Sequence, residues 1–212
     1  MLLIALVIAL LVGLVFHEFS HAVVANALGD PTPGITGRLS LNPFHHLDPM
    51  GTLLMFTVGF GWAKPVQVNA NRLRNGPVIG MATVAAAGPI SNFIMAALFA
   101  LPIRLGLVDT RFPFSYEDFT LSNYIGLIFV YVVLINVLLG VFNLLPLAPL
   151  DGSRVAQALL PGELGRFFRQ IEPYGIGILF LLLMVSWITG GQIDPIGWII
   201  TPIQRAVTDF LL

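Results

Sequence analysis

The sequence predicts an all-α polytopic membrane protein, because its composition and its apolar runs both differ from those of soluble proteins. Hydrophobic residues make up 57% of the 212 residues and charged residues only 10%, whereas soluble proteins carry about 25% charged residues. Several apolar runs approach the roughly 20 residues that a helix needs to cross a bilayer. No soluble domain of useful size fits between these runs, so we expect one membrane domain over residues 1–212.

Four apolar segments are expected to form transmembrane helices, although the last of them is short. They lie at about residues 2–28, 78–103, 123–147 and 174–190. A tail at about residues 196–212 mixes polar and apolar side chains, which is typical of an amphipathic segment that lies in the membrane interface or inserts partly. Between the first two segments, Gly59 and Gly61 separate short β-prone runs, which predicts a small re-entrant β element near residues 51–68. An interfacial loop is the alternative there.

Charge and cysteine content narrow the chemistry that this chain can carry. A net charge of −1 gives no reason to expect a nucleic-acid partner. The chain has no cysteine, which rules out disulfides and means that any zinc site must use histidine and carboxylate ligands.

One motif inside the first apolar segment carries most of the chemical information. His17-Glu18-Phe19-Ser20-His21 places two imidazoles at i and i+4, which is one face of a helix. Two imidazoles at this spacing can bind one Zn²⁺, and Glu18 can then act as a base toward water on the metal. Ionisable groups inside a transmembrane helix are costly and usually functional. The alternative is a pair of structural histidines, hydrogen-bonded between helices, with Glu18 protonated.

Small residues accompany these histidines at four-residue spacing, which in membranes marks a face for close helix packing. In the first segment the row is Ala5, Ala9, Gly13, His17, His21 and Ala25. In the second segment it is Gly76, Gly80, Gly88, Asn92, Ala96 and Ala100. In the third segment one face carries Asn136, Gly140 and Asn143. We therefore expect the histidines to face a partner helix and Asn92 to form a hydrogen bond across helices.

A third metal ligand is expected after the third segment, where prolines end the helix. Pro146 and Pro149 are followed by Asp151-Gly152, and proline forces the chain out of α geometry. The Asp151 carboxylate can therefore turn back toward the helix bundle. Catalytic zinc takes three protein ligands and leaves a fourth position for water, so Asp151 completes a set with the two histidines. Alternatively, Asp151 caps a helix that begins near Ser153.

A second metal site at His46 and Asp48 is a weaker hypothesis. These residues lie in a polar loop that follows a helix stop expected at Gly29. Histidine and aspartate are both metal-ligand types, but adjacent polar residues in a loop rich in proline and glycine usually form turns.

The distribution of basic residues predicts the orientation of the chain in the membrane. One side receives Arg38, Lys64, Arg72, Arg74, Arg154, Arg166 and Arg169, and the other side receives Arg104, Arg111 and Arg205. The side with more basic residues is expected to be cytoplasmic. His17, His21 and Asp151 all fall toward that side, so we expect the site to be reached from the cytoplasm.

Four motifs together resemble the site-2 protease family of intramembrane zinc metalloproteases. They are His17-Glu18-x-x-His21, Gly59-Phe60-Gly61-Trp62-Ala63-Lys64-Pro65-Val66, Gly88-Pro89-Ile90-Ser91-Asn92 and the run from Asn143 to Gly152. The resemblance covers about residues 10–155, and the expected catalytic core is about residues 1–155. The chain is similar to a minimal form of the family, without a PDZ or CBS domain.

The resemblance implies roles for particular residues. His17, His21 and Asp151 are implied to bind zinc, which we expect at one ion per chain. Glu18 is implied to be the catalytic base, and Asn143 to support the site near the scissile carbonyl. The glycine-rich segment after the first helix is implied to form a re-entrant β element that pairs with an unwound substrate. We expect substrate contacts at Gly59, Phe60, Gly61, Trp62 and Asn92.

Together these features predict a zinc-dependent endopeptidase that hydrolyses peptide bonds within or near transmembrane helices of other membrane proteins. The expected partners are such substrates and the lipid bilayer of the cell membrane, with no nucleic acid, and the sequence leaves a homo-oligomer open. The alternative is a non-catalytic membrane protein that binds or transports a metal through the same cluster. Glu18 favours hydrolysis, because transport needs no base beside the ligands.

Overall fold

Nine α-helices form most of the chain that the computed structural model describes, namely residues 2–58, 61–110 and 120–212 without the side chains of Phe56 and Val58. In chain order they are α1 (Leu2–Ala27), α2 (Thr32–Ile35), α3 (Pro49–Val58), α4 (Pro77–Arg104), α5 (Leu121–Asn143), α6 (Asp151–Leu159), α7 (Gly162–Ile171), α8 (Gly175–Ile188) and α9 (Pro195–Leu211). The all-α prediction is confirmed, since the described residues contain no β-strand.

Among the described residues, four helical stretches are long and apolar enough to cross a membrane, as predicted. They are Leu2–Ala27, Pro77–Arg104, Leu121–Asn143 and Gly162–Ile188. The fourth stretch joins α7, a short 3-10 turn and α8. It begins earlier than the predicted residue 174. The 14 residues of α8 alone cover only roughly 21 Å of an apolar core that is roughly 30 Å thick.

The predicted C-terminal amphipathic segment is the helix α9. Its start is capped by Asp194, whose Oδ1 accepts a hydrogen bond from Gly197 N at 3.0 Å. Ile196 and Ile200 are buried in the main apolar core, where α9 packs against α5, whereas Phe210 is exposed. The helix therefore covers the bundle with one face and presents the other face outward.

The centre of the molecule is formed by α1, α4 and α5, each of which packs against the other two. The predicted row of small residues on α1 is buried along its length, from Ala5 to Ala25. On α4 the row is buried from Gly80 to Ala100. A Cβ on Gly13 would lie 2.6 Å from Leu139 Cδ1. Small residues thus let the three helices approach closely enough for polar side chains of different helices to meet.

Two helix ends follow from residues that interrupt α geometry. The stop predicted at Gly29 is confirmed: α1 ends at Ala27, and Gly29 has φ +105°, a conformation that favours glycine. The helix α5 ends at Asn143, before the predicted residue 147. Pro146 explains this, because it lacks an N–H group and its ring would clash with the carbonyl of Phe142 in a continuing helix.

The prediction of a small β element after α2 is wrong for its first half, which forms α3 (Pro49–Val58). Asp48 Oδ1 accepts a hydrogen bond from Gly51 N at 2.8 Å and so caps the first turn of this helix. A short apolar helix satisfies its own backbone groups at membrane depth, whereas an unpaired strand leaves them without partners. Gly59 and Phe60, at the centre of the predicted element, lie outside the described residues.

The second half of the predicted element is an irregular segment held by backbone contacts. Ala63 forms an isolated antiparallel bridge with Leu47. The guanidinium of Arg38, which is buried with 4% exposure, donates hydrogen bonds to Lys64 O at 3.0 Å and Pro65 O at 3.1 Å. The segment is therefore held by hydrogen bonds from a buried arginine to its backbone carbonyls, and not by pairing with a second strand.

Candidate metal centre

Two helices bring the three predicted metal ligands together. His17 and His21 lie on the buried face of α1, and Asp151 is the first residue of α6. The Nε2 atoms of His17 and His21 are 3.0 Å apart. Asp151 Oδ2 lies 3.1 Å from the first and 3.3 Å from the second. Within the described part of the chain, this is the one group of at least three His, Asp or Glu side chains that could hold a metal ion.

Asp151 reaches the histidines because α6 begins directly after the proline-containing break that follows α5. Leu150 occupies the N-cap position and α6 has no side-chain cap, so the alternative role of Asp151 as a cap for a helix near Ser153 is wrong. A Cβ on Gly152 would lie 2.2 Å from Leu144 O. Glycine at this position therefore allows the first turn of α6 to pack on the end of α5 and directs Asp151 at the imidazoles.

The hydrogen-bond partners of the histidines decide which ring nitrogen faces the centre. His21 Nδ1 lies 2.7 Å from Val84 O. A carbonyl only accepts, so this nitrogen carries the proton, and a neutral imidazole then presents a lone pair at Nε2. His17 Nδ1 lies 2.7 Å from Asn92 Oδ1. Asp151 Oδ2 is buried, and no described residue reaches it with hydrogen-bond geometry.

The cluster fits a cation better than it fits protons. Three acceptor atoms 3.0–3.3 Å apart repel one another, and a single proton satisfies only one of the three contacts. Zn²⁺ binds histidine and carboxylate ligands at roughly 2.0–2.2 Å, which places tetrahedral neighbours roughly 3.3–3.6 Å apart. The observed spacing is slightly shorter than this, so small outward movements of the side chains suffice. The residues present therefore fit zinc.

The charge state of Asp151 suits a metal ligand. Burial of its carboxyl raises the pKa, but when the two imidazoles are protonated in place of a bound metal, the hydrogen bonds and charges of His17 and His21 outweigh that effect and lower the pKa to about 2. The group is thus ionised at neutral pH, which is the form that a carboxylate ligand requires.

One wall of the candidate metal centre is Gly88 of α4, whose place in the row of small residues predicts close helix packing but no contact with the histidines. A Cβ on Gly88 would lie 2.5 Å from His17 Cε1 and 2.5 Å from His21 Nε2. No larger residue fits there without displacing an imidazole. The row of small residues at four-residue spacing contained this signal, but spacing alone does not show that the histidines are the neighbours.

The two predicted catalytic residues are both half-buried and lie outside the set of three ligands. Glu18 is half-buried on α1, one helical step of about 100° away from His17, and so lies beside the ligands rather than among them. Asn143 is the half-buried last residue of α5, and its Nδ2 donates a hydrogen bond to Leu139 O at 3.0 Å. One of its two N–H groups is therefore directed at its own helix.

The residues predicted to bind substrate differ in how exposed they are. Trp62 is 42% exposed, while a Cβ on Gly61 would clash with the backbone of α3. Gly59 and Phe60 lie outside the described residues. Asn92 has no exposed surface and lies behind His17, so it is not on a face that a substrate reaches in this structure.

The hypothesis of a second metal site at His46 and Asp48 finds no support in the geometry. His46 is completely buried and its Nε2 donates to Ser40 O at 2.6 Å. Asp48 caps α3. Both side chains therefore serve local loop structure, which is the interpretation expected for polar residues in turns.

Comparison with known proteins supplies the family. The family model described as "Peptidase family M50" matches residues 5–186 of the 212-residue chain. This chain belongs to peptidase family M50. The predicted membership in the site-2 protease family is thereby confirmed.

Relatives of this M50 protein occur in bacteria and archaea. "Putative zinc metalloprotease YwhC" of Bacillus subtilis is 38% identical, covering 98% of this chain and 89% of that protein. "Putative zinc metalloprotease Rip2" of Mycolicibacterium smegmatis is 27% identical, over 89% of this chain and 70% of that protein. "Zinc metalloprotease MJ0392" of Methanocaldococcus jannaschii is 27% identical, over 85% of this chain and 41% of that protein. No solved structure is significantly similar to this chain.

The family and the four apolar helices agree on the general class of the molecule. This M50 protein is an integral, multi-pass membrane protein of a metalloprotease family. The names of its relatives support zinc as the metal, and the cluster of His17, His21 and Asp151 is the place where the described chain could hold it.

Proposed function

We propose that this M50 protein is a zinc-dependent intramembrane endopeptidase that hydrolyses peptide bonds within or near transmembrane helices of other membrane proteins. The observation that carries the proposal is the buried acceptor cluster of His17, His21 and Asp151 with Glu18 beside it. The two histidines precede the end of α1 by ten and six residues, which is roughly 15 and 9 Å along the helix. The centre therefore lies below the membrane surface, where a helical substrate would be cleaved.

The residues of the chain have distinct roles in this reaction. His17, His21 and Asp151 would hold one Zn²⁺ per chain, which would supply Lewis-acid chemistry toward water and the peptide carbonyl. Glu18 accepts a proton from the attacking water and passes it to the leaving amine. Asn143 donates a hydrogen bond to the carbonyl oxygen of the scissile peptide as negative charge develops there, once its side chain turns away from Leu139.

The substrate is a helix that must unwind before cleavage, because its amides are tied in helical hydrogen bonds. An extended peptide can be held by backbone pairing with an exposed segment of the enzyme. The irregular segment at residues 61–66 is the candidate, since Arg38 fixes it from the inside and Trp62 is exposed beside it. The flanking Gly59 and Phe60 are proposed to take part as well.

A comparison of three purified proteins in detergent tests the proposal. We expect about one zinc per chain in the wild type, and Glu18→Gln should keep the zinc while turnover falls roughly 10²–10⁴-fold, the usual contribution of a positioned base. Asp151→Asn should lose zinc and activity together, because a neutral amide is a poor zinc ligand. The measurements are elemental analysis and cleavage of a transmembrane reporter substrate.

Controls separate this function from metal transport. Glu163→Gln makes the same chemical change on the exposed surface of α7 and should leave zinc content and turnover at wild-type values. Near wild-type cleavage by Glu18→Gln would refute the role of the base. A wild-type protein that carries zinc across a vesicle membrane and cleaves no reporter would establish the transport alternative instead.

A further inference from the structure

Two asparagines that have no part in the proposed reaction form a buried polar chain behind His17. Asn92 of α4 and Asn136 of α5 are both completely buried. Asn136 Nδ2 donates to Val132 O at 2.8 Å. Asn92 Nδ2 donates to Asn136 Oδ1 at 2.9 Å and to Gly13 O at 3.0 Å. This series of hydrogen bonds ends at His17, whose Nδ1 is 2.7 Å from Asn92 Oδ1.

Backbone carbonyls fix the direction of each hydrogen bond between Asn136, Asn92 and His17. Val132 O can only accept, so the amide NH₂ of Asn136 points at it and Asn136 Oδ1 faces Asn92. Asn92 then faces two acceptors, Asn136 Oδ1 and Gly13 O, so its NH₂ lies on that side and its Oδ1 faces the imidazole. An amide oxygen also only accepts, and His17 Nδ1 must therefore carry the proton. A neutral imidazole with this proton has its lone pair at Nε2, toward Asp151.

We propose that Asn92 is a positioning residue that holds His17 as the Nδ1–H tautomer, and that Asn136 acts through Asn92 by fixing the orientation of its amide. This inference rests on the proposed function, because it takes His17 Nε2 to be a metal ligand. Hydrogen-bond partners behind ligating histidines set the tautomer and ring orientation, and their loss typically costs about 10–100-fold in metal affinity.

The two histidines differ in how their tautomers are set. His21 Nδ1 donates to the backbone carbonyl of Val84, which no side-chain substitution removes. Among the described residues, His17 Nδ1 has only the side chain of Asn92 for the same purpose. The affinity of the centre for metal is therefore sensitive to α4 and α5 side chains through His17.

A purely structural role for the asparagines predicts a different order of effects. Buried amides also join membrane helices by hydrogen bonds, and in that role an apolar residue of similar size is tolerated better than a buried carboxylate. As a partner of His17, by contrast, a carboxylate at position 92 still accepts from Nδ1–H, whereas leucine cannot. The substitutions Asn92→Asp and Asn92→Leu thus separate the two roles.

The experiment measures the zinc dissociation constant by competition with a chelator, for the purified full chain in detergent. We expect Asn92→Leu to bind zinc about 10–100-fold more weakly than the wild type, and Asn92→Asp to bind more tightly than Asn92→Leu. Asn136→Leu should have a smaller effect, because Gly13 O still orients Asn92. The double variant Asn92→Leu with Asn136→Leu should match Asn92→Leu alone, since Asn136 acts only through Asn92.

Three results would overturn the inference: wild-type zinc affinity in Asn92→Leu, weaker binding by Asn92→Asp than by Asn92→Leu, or an effect of Asn136→Leu that adds fully to that of Asn92→Leu. If neither Asn92 variant can be purified, unchanged affinity in Asn136→Leu overturns it and weakened affinity supports it. The outcome is independent of proteolysis. A wild-type protein that binds zinc and cleaves nothing would refute the proposed protease and leave this test intact.

Discussion

At the scale of single residues, the candidate centre depends on which atoms can accept and which can donate. Nε2 of His17, Nε2 of His21 and Oδ2 of Asp151 face one another within 3.3 Å, and the Nδ1 proton of each imidazole is directed away from the centre. A cation relieves the mutual repulsion of three acceptors. This is the physical reason why the cluster fits a metal and why a small change beside it should matter.

Substitution of Gly88 by alanine should damage the centre without weakening the helix that carries it. The new Cβ would lie 2.5 Å from both imidazoles, so at least one ring must move away from the ligand position. Alanine is otherwise favoured over glycine inside a helix by about 1 kcal/mol. We expect zinc content to fall well below one ion per chain in elemental analysis, together with loss of reporter cleavage.

A matched control for this variant is Gly177→Ala on α8, where no atom of the described residues outside the local helix backbone lies within 4 Å of the added Cβ. That variant should keep the zinc content of the wild type. Full zinc content in Gly88→Ala would show that the imidazoles can move without losing the metal, and would contradict the close packing described here.

At the scale of elements, polar residues in the loops tie the ends of helices together. Asp30, completely buried after α1, accepts hydrogen bonds from Thr32 N at 3.1 Å, Thr32 Oγ1 at 2.6 Å and Asn69 N at 2.6 Å. Arg74 N donates to Leu28 O at 2.9 Å. The end of α1 is thereby fastened to the segment that precedes α4, the helix that carries Gly88.

The contribution of Asp30 to stability should depend on pH. Burial raises the pKa of its carboxyl, but hydrogen bonds from Thr32 and Asn69 outweigh this and hold the pKa below its ordinary value of 3.8. The folded-state pKa is thus depressed, so the stabilisation is present above the unfolded pKa and is lost as the pH falls through the folded pKa. We expect Asp30→Asn to destabilise the protein by about 1–3 kcal/mol at pH 7.

Thermal unfolding in detergent at several pH values measures this effect. The difference between wild type and Asp30→Asn should be largest at neutral pH and should shrink as the pH is lowered below about 4. Asp209→Asn, the same change at an exposed position of α9, serves as the control and should unfold like the wild type. A difference that grows on acidification would contradict the hydrogen-bonded carboxylate.

At the scale of the whole molecule, the three metal ligands can meet because the chain crosses the membrane twice, in α4 and α5, between the end of α1 and the start of α6. His17 and His21 lie toward the C-terminal end of α1, and Asp151 follows the C-terminal end of α5, with α4 running between them. The segments between α1 and α4 and between α5 and α8, which include α6 and α7, carry seven of the ten basic residues. We propose from this excess that the centre opens toward the cytoplasm.

Cysteine labelling tests this orientation cleanly, because the chain has no native cysteine. A cysteine introduced at the exposed position Arg72 should react with a membrane-impermeant reagent only when the cytoplasmic face is accessible. Leu107→Cys, in the exposed loop after α4, should label from the opposite face. Labelling of position 72 from outside intact cells would reverse the proposed orientation.

The sequence by itself determined the membrane class, the four spans, the helix stop at Gly29 and the three side chains that meet at the candidate centre. These features depend on local pattern: apolar run length, small residues at four-residue spacing, glycine and proline, and the i, i+4 geometry of His17 and His21. Asp151 could be predicted as the third ligand because Pro146 and Pro149 indicate the end of the third helix. The sequence does not give the distance between Asp151 and the histidines.

Only the tertiary structure decided the features that depend on partners distant in the chain. Residues 51–58 fall in the predicted β element, yet they form part of a helix, which pairs its own backbone groups, and the described residues contain no strand that could pair with this segment. Gly88 forms a wall of the candidate metal centre, and Asn92, predicted to contact substrate, lies buried against His17, because α1, α4 and α5 pack so closely. The direction of each hydrogen bond in the Asn136–Asn92–His17 chain is set by carbonyls on two other helices, and no local pattern in the sequence encodes which carbonyl lies within reach.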